Sequence, residues 1–144
     1  MEELQVGHVH EADVPWVYAG DVGIQLLRAT PTGFAVRNRF KAGYRLPTHK
    51  HTGSVNGFTF SGRWCYAEQG VEYVAGTFIH EPAGSAHTLT VLEDTDVLFM
   101  VEGAYVEYAE DGTVAGVVDS ETLIGAYYAL CDAFGIPRPE AVLR

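Results

Sequence analysis

The chain has 144 residues, 47% of them apolar and 19% charged, with 9 Lys and Arg against 19 Asp and Glu and a formal net charge of −10. Those proportions exclude a disordered chain. The acidic balance argues against nucleic acid and anionic lipid as partners, because both carry charge of the same sign.

A chain of this length fits one domain, 1–144, with a core that buries roughly 70% of the surface of the unfolded chain. No stretch is long and apolar enough to span a bilayer. Met1-Glu2-Glu3 is acidic where an export signal would be basic and then apolar, so a cytoplasmic location is expected.

The first residues carry His8 and His10, spaced as a ligand pair would be, but no third ligand with a fitting turn follows them. They are expected at the surface or on an edge strand. Trp16, after Pro15, is expected to anchor the N-terminal arm to the body. Gly23 to Ala29 and Phe34 to Phe40 read as strands joined by a turn at Pro31-Thr32-Gly33. Short β-type runs follow at Val55 to Cys65, Val71 to Ala75, Thr77 to Glu81, Thr88 to Leu92 and Val97 to Val101. Glycines and the Pro82-Ala83-Gly84 turn punctuate them, the pattern of a β-sandwich or barrel. Ala104 to Val117 reads as a hairpin with a type I′ turn at Asp111-Gly112.

Residues 1–118 are therefore strand-rich, and only the tail changes period. Asp119 and Ser120 offer N-caps, and Leu123, Ile124, Tyr127, Leu130, Cys131 and Phe134 recur at helical spacing before Gly135 and Pro137. One amphipathic helix over about 120–134 is predicted. Cys65 and Cys131 lack the dense spacing of a disulfide scaffold and are read as free buried thiols.

The chemistry centres on Gly43 to Gly62, GYRLPTHKHTGSVNGFTFSG. On a strand His49 and His51 project to one face and Lys50 to the other, so two imidazoles can share a metal ion. Downstream, GTFIHEPAGSAHTLTV carries a strand into a Pro-Ala-Gly turn, and His87 opens the next strand.

These spacings resemble the two cupin motifs: Gly43, His49, His51 and Gly62 match the first, and Gly76, Pro82, Gly84 and His87 the second. The resemblance implies an all-β, cupin-type jelly-roll β-barrel with one C-terminal α-helix, in which His49, His51 and His87 converge on one metal. Two positions depart from the motifs: Val55 stands where a Glu ligand is usual, and Val91 where Asn is usual. The ligand set implied is three neutral imidazoles without a carboxylate. Such a set leaves a divalent ion its full charge and favours an anionic, chelating oxygen ligand.

Within the cupins the chain is similar to the iron dioxygenases that cleave acetylacetone and 2,4′-dihydroxyacetophenone. The likeness rests on Pro15-Trp16, LPTHKHTG, EPAGSAHT, the Asp-Gly hairpin and the Tyr-rich helix. It implies cleavage, by O2, of a carbon–carbon bond next to a carbonyl in a β-diketone or α-hydroxyketone at an Fe(II) centre. Zinc, nickel or another divalent ion would compete for the same site on purification. Arg63 and Glu81 match charged residues that the acetylacetone-cleaving family places near its metal, implying a role in gating or substrate orientation, or in fixing a ligand imidazole. A structural ion pair at the barrel mouth is the other reading of the two.

His80 should point away from the site, and Tyr44, Phe60, Trp64 and Tyr66 are read as packing residues. Cupins of this size commonly form homodimers or homotetramers, and the partners expected are a small ketone and O2. Rival readings are a non-catalytic zinc-binding cupin module, sensory or small-molecule binding, and a metal-dependent isomerase or hydrolase. Modules of the first kind usually keep acidic residues after the His pair, and none stands there in this chain.

Overall fold

A computed structural model describes residues 3–144; the acidic start read at Met1 and Glu2 lies outside them. After a short 3-10 turn at Glu11–Asp13, strands β1 (Val17–Ala19), β2 (Val22–Thr30) and β3 (Gly33–Phe40) run antiparallel. They are followed by β4 (Arg45–His51), β5 (Val55–Tyr66), β6 (Glu72–Val74) and β7 (Phe78–Glu81). The last strands are β8 (Ala86–Glu102), β9 (Tyr105–Tyr108) and β10 (Val114–Val118), and helix α1 (Ser120–Ala133) follows. The strand order β1-β2-β3-β8-β4-β9-β10, with β5 to β7 joined on at β8, curls the sheet into the jelly-roll form expected.

Strand β8 organises the rest. The runs Thr88 to Leu92 and Val97 to Val101, read as two strands, are one continuous strand of 17 residues. The polar segment Glu93 to Asp96 between them marks a corner, where Thr95 turns its hydroxyl onto the Glu93 carbonyl at 2.8 Å. One half of β8 pairs with β4 and the other with β3, while β5 runs along its whole opposite edge. On both sides of the corner the inward residues share one parity: His87, Leu89, Val91, Thr95, Val97, Phe99 and Val101 are buried, and Glu93 at the corner is exposed.

Strand β5 does not keep its parity. Val55, Gly57 and Thr59 face inward, then three register shifts occur between Thr59 and Trp64, and Trp64 and Tyr66 take over the inward face. Gly62 carries the bulge with φ of 96°, a conformation that suits glycine. Its Cα also lies too close to Asp94 and Thr95 to accept a side chain.

The Ala104 to Val117 hairpin forms, but its turn is not type I′. Asp111 keeps a negative φ and only Gly112 is positive, at 84°, so a type I turn is followed by a left-handed glycine. The Asp111 carboxylate accepts from the Thr113 backbone N–H at 3.0 Å and hydroxyl at 2.6 Å, which favours this form.

Helix α1 starts at a capping box in which Asp119 and Thr122 satisfy each other's backbone N–H. It ends in a Schellman motif: Ile136 N–H donates to Cys131 O, Gly135 N–H to Asp132 O, and Gly135 has φ of 66°. The helix lays Ile124, Tyr127 and Cys131 on β1 and β2, and the Tyr127 hydroxyl donates to Pro15 O at 2.5 Å. Phe134, counted with the buried stripe in sequence, is the C-cap and is exposed. Both thiols are free, Cys131 buried and Cys65 half-buried. Among the described residues no helix is long and apolar enough to cross a membrane.

Candidate metal centre

His49 and His51 come from the end of β4 and His87 from the start of β8, where His49 and His87 are register partners. Two local features bring them together. Strand β4 has a register shift between Leu46 and His49, and Pro47, which has no N–H for a ladder, sits in it. The Pro82-Ala83-Gly84 turn is bonded to the backbone of His51: Gly84 N–H donates to His51 O at 2.8 Å and His51 N–H to Ser85 O at 3.1 Å. His87 is thereby delivered opposite the β4 pair.

All three imidazoles are buried, at 3%, 4% and 7% exposure, and one ring nitrogen of each lies within 4.8 Å of those of the other two. The His49 Nδ1 faces the Pro47 carbonyl at 2.8 Å, which holds the proton on that nitrogen and turns the Nε2 lone pair inward. Burial, reinforced by His87 and His51 and only partly offset by the Pro47 bond, lowers the His49 pKa to about 4. Its ring is therefore neutral, as a metal ligand must be.

Glu81, the last residue of β7, is also buried, and its carboxylate lies against the cluster: Oε2 is 3.1 Å from His51 Nε2 and Oε1 3.2 Å from His87 Nε2. The Tyr66 hydroxyl donates to Oε1. Burial alone would raise the Glu81 pKa, but the contacts with His51, His87 and Tyr66 outweigh it and hold it at about 2. The Tyr66 phenol is pushed well above its ordinary range, by burial first and by the Glu81 charge second.

Hydrogen bonding tests whether a metal would fit. His51 Nδ1 and Nε2, His87 Nε2 and Glu81 Oε2 are all buried without a hydrogen-bond partner. Buried polar atoms are rarely left so, and three of these four face one another. A cation among them would satisfy donors of the kind that hold zinc or iron.

Arg63 does not join the cluster. The bulge at Gly62 reverses the parity that would have turned it inward, and it lies on the outer face, ion-paired with Glu72 and Glu93 at 3.2 Å each. It makes no pair with Glu81, so the expected ion pair between these two at the barrel mouth is not formed. His80 points outward, with Nδ1 at 2.8 Å from Asn56 Oδ1. His8 and His10 are exposed, and His10 caps the 3-10 turn instead of lying on a strand. Trp16 packs as an anchor beneath the Arg39 guanidinium, 4.0 Å from its ring centre.

Among the aromatics assigned to packing, Trp64 is buried with its indole N–H on Thr59 Oγ1 at 3.0 Å, and Phe60 is exposed on the outside. Tyr66 is different, since it touches Glu81. Tyr105 was not singled out in sequence, yet its ring packs on His49 and His51 with centroids 5.2 and 5.4 Å away. It reaches them because β9 pairs with β4, His51 opposite Tyr105, a non-local pairing with no local sequence signal.

His49, His51 and Glu81 line a cavity of about 150 Å³ whose walls are mainly apolar, Phe34, Val36, Phe40, Phe99 and Val101 among them, with Asn38, Tyr44 and Tyr105 as its other polar residues. Residues 5–106 match the model of the ChrR cupin-like domain. The chain belongs to the ChrR cupin-like family. This membership agrees with the convergence of the three histidines inside the barrel. No curated protein matches the chain. Among solved structures, an RmlC-like cupin protein from Ralstonia eutropha JMP134 is 26% identical with a TM-score of 0.88, over 98% of this chain and 96% of that one. A second cupin-like protein of unknown function from the same organism is 27% identical with a TM-score of 0.85, over 96% and 94%. The acetylacetone dioxygenase of Acinetobacter johnsonii shares the fold at 16% identity, with a TM-score of 0.76 over 90% and 95%.

Proposed function

We propose that this cupin is a metal-dependent dioxygenase that uses O2 to cleave a carbon–carbon bond next to a carbonyl in a small β-diketone. The observation that carries the reading is the convergence of three buried imidazoles, two of which, His49 and His51, line a small and mainly apolar cavity. Held by His49, His51 and His87, a divalent ion such as Fe(II) would supply Lewis acidity toward the ketone oxygens and redox contact with O2.

The side chains serve binding and exclusion. His49, oriented by Pro47, offers a fixed nitrogen, and the phenylalanine and valine walls keep water from the reacting bond. Size narrows the substrate class. A cavity of about 150 Å³ is close to one known to take a benzene molecule, which suits a short aliphatic diketone better than a hydroxyacetophenone. Support also comes from the fold shared with the Acinetobacter enzyme along nearly the whole of both chains.

The test is anaerobic reconstitution of the apoprotein with Fe(II), followed by oxygen uptake over a panel of aliphatic β-diketones and hydroxyacetophenones. Uptake with the short diketones and formation of two carbonyl fragments are expected. Tight, stoichiometric zinc binding with no uptake from any ketone would refute the oxygenase reading in favour of a binding module.

A further inference from the structure

Val55 leaves the first cupin motif without its carboxylate, and the register of β5 against β7 shows where another one stands. Val55 and Glu81 are paired residues across the two strands, and both are buried in the barrel. We propose that Glu81 is a fourth protein ligand of the centre, a carboxylate delivered by β7 beside the position that Val55 leaves apolar. The inference rests on the reading that His49, His51 and His87 hold a divalent ion.

Three observations carry it. The first is distance. Ligand atoms bonded to one ion at about 2.0–2.2 Å lie about 2.8–3.6 Å from their neighbours in octahedral or tetrahedral arrangements. Glu81 Oε2 is 3.1 Å from His51 Nε2, inside that interval, and the other carboxylate oxygen, Oε1, lies 3.2 Å from His87 Nε2, so the carboxylate group borders both imidazoles.

The second is direction. At such separations an imidazole and a carboxylate would ordinarily form a hydrogen bond, yet His51 Nε2, His87 Nε2 and Glu81 Oε2 each have no hydrogen-bond partner. The atoms are close but not aimed along a shared hydrogen. Groups whose lone pairs converge on a third atom have this relation.

The third is the setting of the carboxylate. Glu81 is 6% exposed, and its only charged-type contacts among the described residues are the two histidines; no Lys or Arg pairs with it. An isolated buried carboxylate is costly, and a divalent ion is the counter-charge that this cluster is built to hold. Tyr66 completes the arrangement by donating to Oε1, which leaves Oε2 as the free, ligating oxygen. Tyr66 is thus a positioning residue, acting through Glu81 as outer-shell donors act on metal-bound carboxylates.

A carboxylate ligand cancels half the charge of the divalent ion, so the chain recovers from β7 the charge balance that the motif position would have supplied. The test uses Co(II), whose visible ligand-field bands report coordination number and donor type. Wild type, Glu81→Gln, Glu81→Asp and Tyr66→Phe are titrated with Co(II), with circular dichroism as a check of folding.

The wild type is expected to bind one Co(II) per chain. Glu81→Gln should bind it at least about 100-fold more weakly, at or beyond the upper end of the effect of losing an outer-shell partner, with the bands shifted in position and intensity. Tyr66→Phe should keep the bands and lose about tenfold in affinity.

Unchanged bands in Glu81→Gln, whatever its affinity, overturn the proposal. So does a crystal of the wild-type protein loaded with Co(II) in which Glu81 Oε2 lies more than about 3 Å from the ion, beyond bonding distance; that measurement depends on no variant. Failure of the wild type to bind Co(II) at all would instead remove the metal-centre reading on which the proposal stands.

Discussion

Acidifying the metal-free protein should destabilise it in a window set by His49. In the fold this imidazole is lowered from 6.5 to about 4 because it is buried, with His87 and His51 beside it adding to the effect and Glu81 and the Pro47 bond opposing it. The unfolded chain therefore takes up a proton near pH 6.5 that the folded chain refuses until about pH 4. Stability tied to His49 is fully present above pH 6.5 and is lost as the pH falls through this window.

At about 1.4 kcal/mol per pH unit the full loss is about 3 kcal/mol, of which about 2 kcal/mol is gone by pH 5. With a urea dependence of about 2 kcal/mol per M, the unfolding midpoint should fall by about 1 M between pH 7.5 and pH 5. The stabilisation tied to Glu81 is fully present above about pH 4.5 and is lost only as the pH falls toward about 2, so it adds no pH dependence between pH 7.5 and pH 5. The assay is urea unfolding of the apoprotein at both pH values, for wild type and His49→Gln. The variant should lose about 2 kcal/mol of this pH dependence. An equal shift in both proteins, or none in the wild type, would refute the reasoning.

Replacing Gly62 by Ala should cost about 2 kcal/mol or more, because a methyl group there meets Asp94 and Thr95 on a left-handed backbone. Gly76→Ala, also at positive φ but with open space around it, should cost less, and urea unfolding separates the two. Arg63→Gln should change zinc affinity less than twofold and stability by no more than about 1 kcal/mol, since its ion pairs are exposed. A tenfold loss of zinc affinity would place Arg63 back in the site. Phe99→Ala opens the cavity wall, and oxygen uptake should shift toward bulkier ketones at a stability cost of about 3–5 kcal/mol; an unchanged substrate range would contradict the assigned cavity.

What could be read in advance was what depends on local spacing. His49 and His51 share a face because a strand alternates, and His87 follows a turn whose Pro and Gly are visible in the sequence. The helix was legible for the same reason, from Asp119 at one end to Gly135 at the other. What could not be read depends on partners far along the chain.

Parity along β5 fails at Gly62 because the bulge answers the corner of β8, and that displaced Arg63 from the site. The long β8 was split in two because Glu93 to Asp96 look like a loop until β5 is laid against them. Tyr105 comes beside His51 only through the β4–β9 pairing. Glu81 was noticed, but its contact with two histidines and with Tyr66 requires three strands to be in register.

The central claim is that His49, His51 and His87 hold one divalent ion. It is tested most directly by titrating the apoprotein with zinc against a chromophoric chelator, in wild type and in single His-to-Ala variants. One ion per chain is expected in the wild type and in His8→Ala and His10→Ala, with tight binding abolished in His49→Ala, His51→Ala and His87→Ala. Retention of tight binding by His87→Ala, or its loss in His8→Ala, would contradict the claim.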